Sequence, residues 1–289
     1  MEENNKAELA TKSDQTMKPS DLAALRLAKY DMENVGKIMQ GLNKVGSSVE
    51  SGIEALPEKQ QKWLSKNINN ILFKILKSNI SSMENKKKFK EPSNTTYKAL
   101  VGATGIGSGF FGSLNPIGAA IFVSELFIST RFMMRSIMDI ARSEGEDIYS
   151  PEAQMACLQV FALGGKSKDD DLAETSYYTS RMAMTAALKG ATTYLSKYGV
   201  KGLGKMMLTS ANPVLMAVGL IASRLTIQIS EKFISQAIPV IGAAGGGAIN
   251  YIFMEHFQRM AKSHFTIRRL ERKYGEGIVK SYYTQMSLD

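Results

Sequence analysis

Three residues in this chain of 289 belong to the types that act as nucleophiles or general bases near neutral pH: Cys157, His256 and His264, the only cysteine and the only histidines present. On a helix, a separation of eight residues puts the two imidazoles about 80° apart and roughly two turns along the axis, so they cannot share a metal as i,i+4 ligands do. Cys157 sits in the apolar run 155–163, and nothing beside it in sequence marks it as an activated thiol. A Cys–His hydrolase would need the tertiary fold to bring His256 or His264 to Cys157, which makes it an alternative that sequence alone does not support. Asp169, Asp170 and Asp171 are consecutive. Three neighbouring carboxylates in one turn do not converge on a cation without spaced partners, so helix capping is the expected role. His-Glu-x-x-His, Gly-x-Ser-x-Gly, Cys-x-x-Cys, P-loop and dinucleotide patterns are all missing, and no catalytic residue, metal site or cofactor is expected.

Charge points to a different kind of chemistry. Thirty-six basic and 27 acidic residues give a formal net charge of +9, which attracts polyanions such as nucleic acid or an anionic lipid leaflet. The densest basic run is Lys86, Lys87, Lys88 and Lys90; a second comprises Arg268, Arg269, Arg272 and Lys273. Neither falls in a helix-turn-helix, zinc-finger, RRM or KH pattern, so nucleic acid is not the expected partner. Each cluster adjoins a long apolar stretch, and a basic residue held at an anionic leaflet contributes about 1 kcal/mol. Both clusters are therefore expected to contact an anionic membrane surface.

The elements that would position these groups read as helices throughout. Three uncharged stretches lie within residues 98–125, 205–224 and 232–255, and Pro116, Pro213 and Pro239 interrupt them. Spanning ~30 Å of hydrocarbon takes about 20 consecutive apolar residues. The unbroken pieces, 99–114, 214–223 and 240–254, fall short of that, which suits core helices or partly inserted hairpins. Gly105 and Gly109 repeat at a spacing of four in the first stretch, as do Gly242 and Gly246 in the third. Small residues four apart form a strip against which a second backbone can pack, and such a strip offsets the ~1 kcal/mol that glycine costs within a helix.

Elsewhere, Leu22, Leu25 and Leu27 start an apolar face after Pro19, and Leu64, Ile68, Ile71, Leu72, Ile75 and Leu76 recur at helical spacing around Trp63. Gly145 ends a helix and Ser150-Pro151 opens the next. A long helix is expected over 172–198, with Tyr178, Met182, Ala186 and Leu195 facing inward. The single cysteine excludes an internal disulfide and fits a reducing compartment. Residues 1–18 are polar, without an apolar core of the secretory kind, and are expected to form a disordered tail on a cytosolic protein.

The order of these features resembles the EcsC family of bacterial proteins. The residues that carry the likeness are Leu56-Pro57 with Trp63; the glycines from Gly102 to Gly112; Glu125; Ile140-Ala141 followed by Gly145-Glu146-Asp147 and Pro151-Glu152; Glu174 through Arg181; and Ile238-Pro239-Val240-Ile241-Gly242-Ala243. It extends over roughly 56–274. Glu125 departs from the family pattern, in which aspartate followed closely by proline would be expected. The resemblance implies an accessory role at the cytoplasmic face of a bacterial membrane, because the name-giving member accompanies an ABC transporter and bears on secretion and membrane proteolysis.

Polar residues beside such apolar helices are costly unless paired, and Glu125, Arg131, Tyr178 and Arg181 are the buried polar candidates, with Glu125 expected to meet Arg181 or Arg131. The expected architecture is all-α: a tail over 1–18, a helical extension over 19–55, a single multi-helix domain over 56–275 and a C-terminal tail over 276–289. The expected function is non-catalytic and peripheral to the inner membrane on its cytoplasmic face, accessory or regulatory to transport or secretion, with a membrane transporter or other membrane protein as partner. A colicin-like inserting protein is the alternative alongside the hydrolase.

Overall fold

Proline decides where helices begin in this chain. In the computed structural model, which describes residues 16–34, 58–83, 94–111, 116–163, 176–199, 212–237 and 239–288, every described proline stands at the start of a helix. Pro19 opens α1 (Pro19–Glu33), Pro116 opens α4 (Pro116–Ser143), Pro151 opens α5 (Pro151–Gln159), Pro213 opens α7 (Pro213–Ala237) and Pro239 opens α8 (Pro239–Tyr274). Proline suits this position because its missing N–H would lack a partner in the first turn anyway and its fixed φ is already helical. The apolar stretches are thus divided into separate helices that fold back on one another. The remaining helices are α2 (Glu58–Met83), α3 (Asn94–Phe111), α6 (Ser176–Tyr198) and α9 (Glu276–Gln285), with a 3₁₀ turn, Val160–Ala162, after α5. No strand occurs among the described residues.

The 36-residue α8 is about 54 Å long and forms the axis of the domain, packing along its course against α3, α1, α4, α9 and α7. Its most extensive partner is α3, and the packing starts from glycine: a Cβ built on Gly102 would lie 3.5 Å from the backbone oxygen of Gly247. Only small residues allow two helix backbones so close. Gly105 and Gly109 lie on α3 and Gly242 and Gly246 on α8, so the two strips belong to the two helices that pack most extensively. Further along, Phe257 of α8 sits edge-on to Phe161 at 5.0 Å and within 6.3 Å of Phe253. All three rings are buried, and pairs in such geometry add about 0.5–1.5 kcal/mol beyond the area they bury.

Helix α2 packs as its periodicity requires: Leu64, Ile68, Ile71, Leu72, Ile75 and Leu76 are all buried, against α7 and α4. Four expectations need correction. Residues 276–289 are not a tail, because α9 returns the chain onto the domain and buries Val279 and Tyr283; Gly275, at φ 92°, makes the turn into it. Helix α1 is part of the domain rather than an extension of it. It buries Leu25, Ala28 and Met32 against α8, and Lys29 donates to the backbone oxygens of Tyr283 (2.9 Å) and Met286 (2.7 Å) at the end of α9. Leu27, expected on the buried face, is 62% exposed. In α6 the inward residues are Tyr177, Tyr178, Met184, Ala191, Tyr194 and Leu195, whereas Met182 is 66% exposed and Ala186 faces solvent. The described part of α6 starts at Ser176, so 172–175 and Asp169 to Asp171 lie outside the described residues, as do residues 1–15.

Candidate functional site

Two polar assemblies hold α8 in place, and between them they take in Arg268, Arg269, Arg272, Lys273, Tyr178 and Arg181 from the residues singled out in the sequence. The first joins α8 to α1 and to the turn after α4. Gly145, with φ 82°, ends α4 in a Schellman arrangement: its N–H donates to the Arg142 oxygen (3.0 Å) and that of Glu146 donates to the Ala141 oxygen (3.0 Å). This turn directs Glu144 and Glu146 at the basic end of α8. Arg268 donates through Nε to Glu146 (2.8 Å) and through Nη2 to Glu152 (2.9 Å). Arg269 donates to Glu144 (2.7 Å) and Asp21 (3.4 Å), Arg272 pairs with Glu146, and Lys273 donates to Asp21 (2.6 Å). Lys262 also pairs with Glu144. The C-terminal basic cluster thus has intrachain carboxylates for Arg268, Arg269, Arg272 and Lys273.

The carboxylates respond to this surrounding. Hydrogen bonds from Lys273 and Tyr274 bring Asp21 down to about 2, against a smaller opposing effect of burial. Burial pushes Glu144 and Glu146 upward, but hydrogen bonds and charge from Lys262 and Arg269, and from Arg268 and Arg272, outweigh it and the net shift of each is downward.

The second assembly joins α6 to α8 in the interior. Arg181 donates to Glu271 at 2.6 Å and Tyr178 donates to the same oxygen at 3.1 Å. Tyr177 shares a hydrogen bond with His264 Nδ1 at 2.9 Å, and Tyr178 meets the rings of Tyr177 and Tyr283 edge to face while Tyr177 and Tyr283 lie tilted against each other. Burial, reinforced by the charges of Arg268 and Arg181, keeps His264 neutral well below the usual histidine range. His256, buried beside Arg259, is lowered to about 4 for the same reasons. Cys157 is fully buried, and desolvation, with Glu146 nearby, pushes its thiol far above the ordinary range. A thiol in that state is not a nucleophile, because the reactive form is the thiolate.

The sequence candidates therefore divide. Tyr178 and Arg181 come together, but their acid is Glu271 rather than Glu125. Glu125 is buried on α4 and accepts from Asn250 Nδ2 at 2.7 Å, while the same nitrogen reaches the Val101 oxygen at 3.1 Å. One amide thus ties α3, α4 and α8 together beside the glycine contact. Arg131 is exposed on α4. Asp139, also on α4, is buried, accepts from Tyr97 at 2.8 Å and is raised by desolvation. Lys86, Lys87, Lys88 and Lys90 lie outside the described residues.

Sequence reasoning missed Asp21, Glu144, Glu146 and Glu271. The available signal was Glu271 standing alone inside a run of four cations, Arg268, Arg269, Arg272 and Lys273, and two glutamates flanking the helix-ending Gly145. Among the described residues no group of His, Cys, Asp and Glu could hold a metal ion, and no helix is long and apolar enough to cross a membrane.

Among the described residues, one helix face carries a row of exposed lysines. On α2, Lys59, Lys62, Lys66 and Lys74 are exposed, with Asn70 exposed between the last two. Successive steps of three and four residues keep these five positions within about 120° of arc. Glu58, which pairs with Lys62 at 2.5 Å, is the one acid on that helix.

Against known proteins, the model of the EcsC protein family matches residues 20–270 of the chain, taking in α1 as well as the region from Leu56 onward. No curated protein and no solved structure matches it.

Proposed function

This chain belongs to the EcsC protein family, and from that premise we propose that it is a non-catalytic helical protein acting peripherally on an anionic membrane surface. The observation that carries the reading is the lysine stripe of α2. Arg268, Arg269, Arg272 and Lys273 are matched by Asp21, Glu144, Glu146 and Glu152, so their charge is largely balanced within the fold. The excess of +9 must be carried elsewhere. Lys59, Lys62, Lys66 and Lys74 share one exposed face, and the chain then continues from the end of α2 into Lys86, Lys87, Lys88 and Lys90. A flat array of ammonium groups on a straight helix is complementary to a sheet of lipid phosphates, and its attraction falls off within a Debye length. The task served from that position is accessory to a membrane transport or secretion component at the cytoplasmic face, the role that the resemblance in sequence suggested.

Vesicle flotation tests the docking. At low ionic strength the protein should float with phosphatidylserine-containing vesicles and not with phosphatidylcholine vesicles, and added salt should release it. Replacing Lys59, Lys62, Lys66 and Lys74 by glutamine removes four contacts of about 1 kcal/mol each, or roughly a 10³-fold loss of partitioning. These side chains are exposed, so the fold should persist. Association that is absent at low salt, or equal in the fourfold variant and the parent, would overturn the proposal.

A further inference from the structure

Between α5 and α6 lies a cleft of about 270 Å³ that the membrane-docking surface does not use. Three cations line it: Arg181 and Lys189 from α6, and Arg268 from α8. The two guanidiniums are only 17% and 15% exposed and Arg181 acts on Arg268 across the cleft; Glu271 pairs with the first and Glu146 and Glu152 with the second, so the cleft gains net positive charge from Lys189 and from any displacement of Glu152. Gln159 also lines the cleft. It is 3% exposed, and its Nε2 has no acceptor, although buried polar atoms are nearly always paired. Among the described residues Arg181 donates through Nη1 alone, to Glu271 and Tyr177, which leaves its other nitrogens for a ligand. Arg268 is anchored on Glu146 through Nε (2.8 Å) and more weakly through Nη2 (3.4 Å), while the shorter bond of Nη2 is to Glu152 (2.9 Å), whose side chain is 69% exposed and can swing away.

We propose that this cleft binds the phosphate group of a phosphomonoester, held between Arg181, Arg268 and Lys189 with Gln159 Nε2 as a further donor. The donor set explains the choice. Guanidinium, ammonium and amide N–H groups only donate, and a phosphate dianion supplies acceptor lone pairs for all of them while its charge replaces that of the displaced Glu152 and meets that of Lys189. Glu152 takes the place of one phosphate oxygen on Arg268, and it must leave when the phosphate enters. Met155 and Leu188 form an apolar wall beside the cations, which fits a small carbon skeleton attached to the phosphate.

Calorimetric titration of the full chain with inorganic phosphate at neutral pH and constant ionic strength tests the site, with glycerol 3-phosphate as a second probe. Lys189 is exposed, so Lys189→Gln should weaken phosphate binding roughly tenfold while leaving the fold intact. Glu152→Gln should tighten it by removing the competing carboxylate. The variant lacking the four α2 lysines should bind phosphate as the parent does. Once that pattern is established, flotation with phosphatidic acid against phosphatidylserine vesicles identifies the source of the phosphate. Preferential recruitment to phosphatidic acid indicates a lipid headgroup, and equal recruitment indicates a soluble ester. No phosphate binding, or binding that neither substitution alters, would overturn the proposal.

Discussion

Replacing Arg181 by methionine tests whether the α6–α8 assembly is a set of interdependent charges or a collection of separable contacts. The guanidinium is 17% exposed and lies 2.6 Å from a Glu271 carboxylate that is 8% exposed. Removing one member of a buried pair leaves an uncompensated charge and costs about 3–5 kcal/mol. Tyr178 still donates to the stranded carboxylate from 3.1 Å, which places the expected loss at the lower end, about 3 kcal/mol. For a domain of this size a loss of 1 kcal/mol lowers Tm by roughly 2–4 °C, so Arg181→Met should unfold some 6–12 °C early. Arg181→Met combined with Glu271→Met removes both charges and keeps apolar volume, and should recover at least 2 kcal/mol relative to the sum of the single substitutions. Urea unfolding followed by circular dichroism at several temperatures gives all four corners of the cycle. A single-substitution loss below 1 kcal/mol, or additive losses, would refute the view that Glu271 is buried at the expense of Arg181.

Two more consequences can be checked with the same unfolding assay. Asp21 ionises more readily folded than unfolded, because Lys273 and Tyr274 hydrogen-bond to the carboxylate. Its contribution is therefore fully present above the ordinary carboxylate range and is lost as pH falls towards about 2. Asp21→Asn should flatten the acid limb of the stability–pH curve, and identical limbs in parent and variant would count against the pairing. At the contact of α3 with α8, the Cβ of Gly102→Ala would meet the Gly247 oxygen at an ordinary 3.5 Å, so the substitution should stabilise by about 0.5–1 kcal/mol through helix propensity. Gly102→Leu should instead cost about 1–3 kcal/mol by forcing the helices apart. Equal destabilisation by both would show that the contact tolerates no side chain at all.

Much of the architecture could be read in the chain because local rules decided it. Proline at the first helical position fixed the starts of α4, α5, α7 and α8, Gly145 fixed the end of α4, and the three-and-four spacing of Leu64 through Leu76 fixed the buried face of α2. These depend only on neighbours in sequence. Where two periodic faces competed, the sequence misled: Met182 and Leu27 look as apolar as Met184 and Leu25, and only the helices packed on them, α7 and α5 on α6 and α8 on α1, determined which would be covered. The C-terminal residues 276–289 looked like a tail because α9 is short and weakly apolar, and it becomes an element through Val279, Tyr283 and the Lys29 bonds from the other end of the chain.

By itself, then, the sequence determined the class, the punctuation of the helices, the excess positive charge and the lack of a recognisable catalytic motif. The tertiary structure alone decided which charges meet. Arg268, Arg269, Arg272 and Lys273 find Asp21, Glu144 and Glu146 across more than a hundred residues of chain, and Arg181 finds Glu271 across ninety. The physical reason is that a charge has no periodicity to reveal its partner: Coulomb attraction and hydrogen bonding act through space once apolar faces have packed, so the pairs follow from the packing and cannot be read ahead of it.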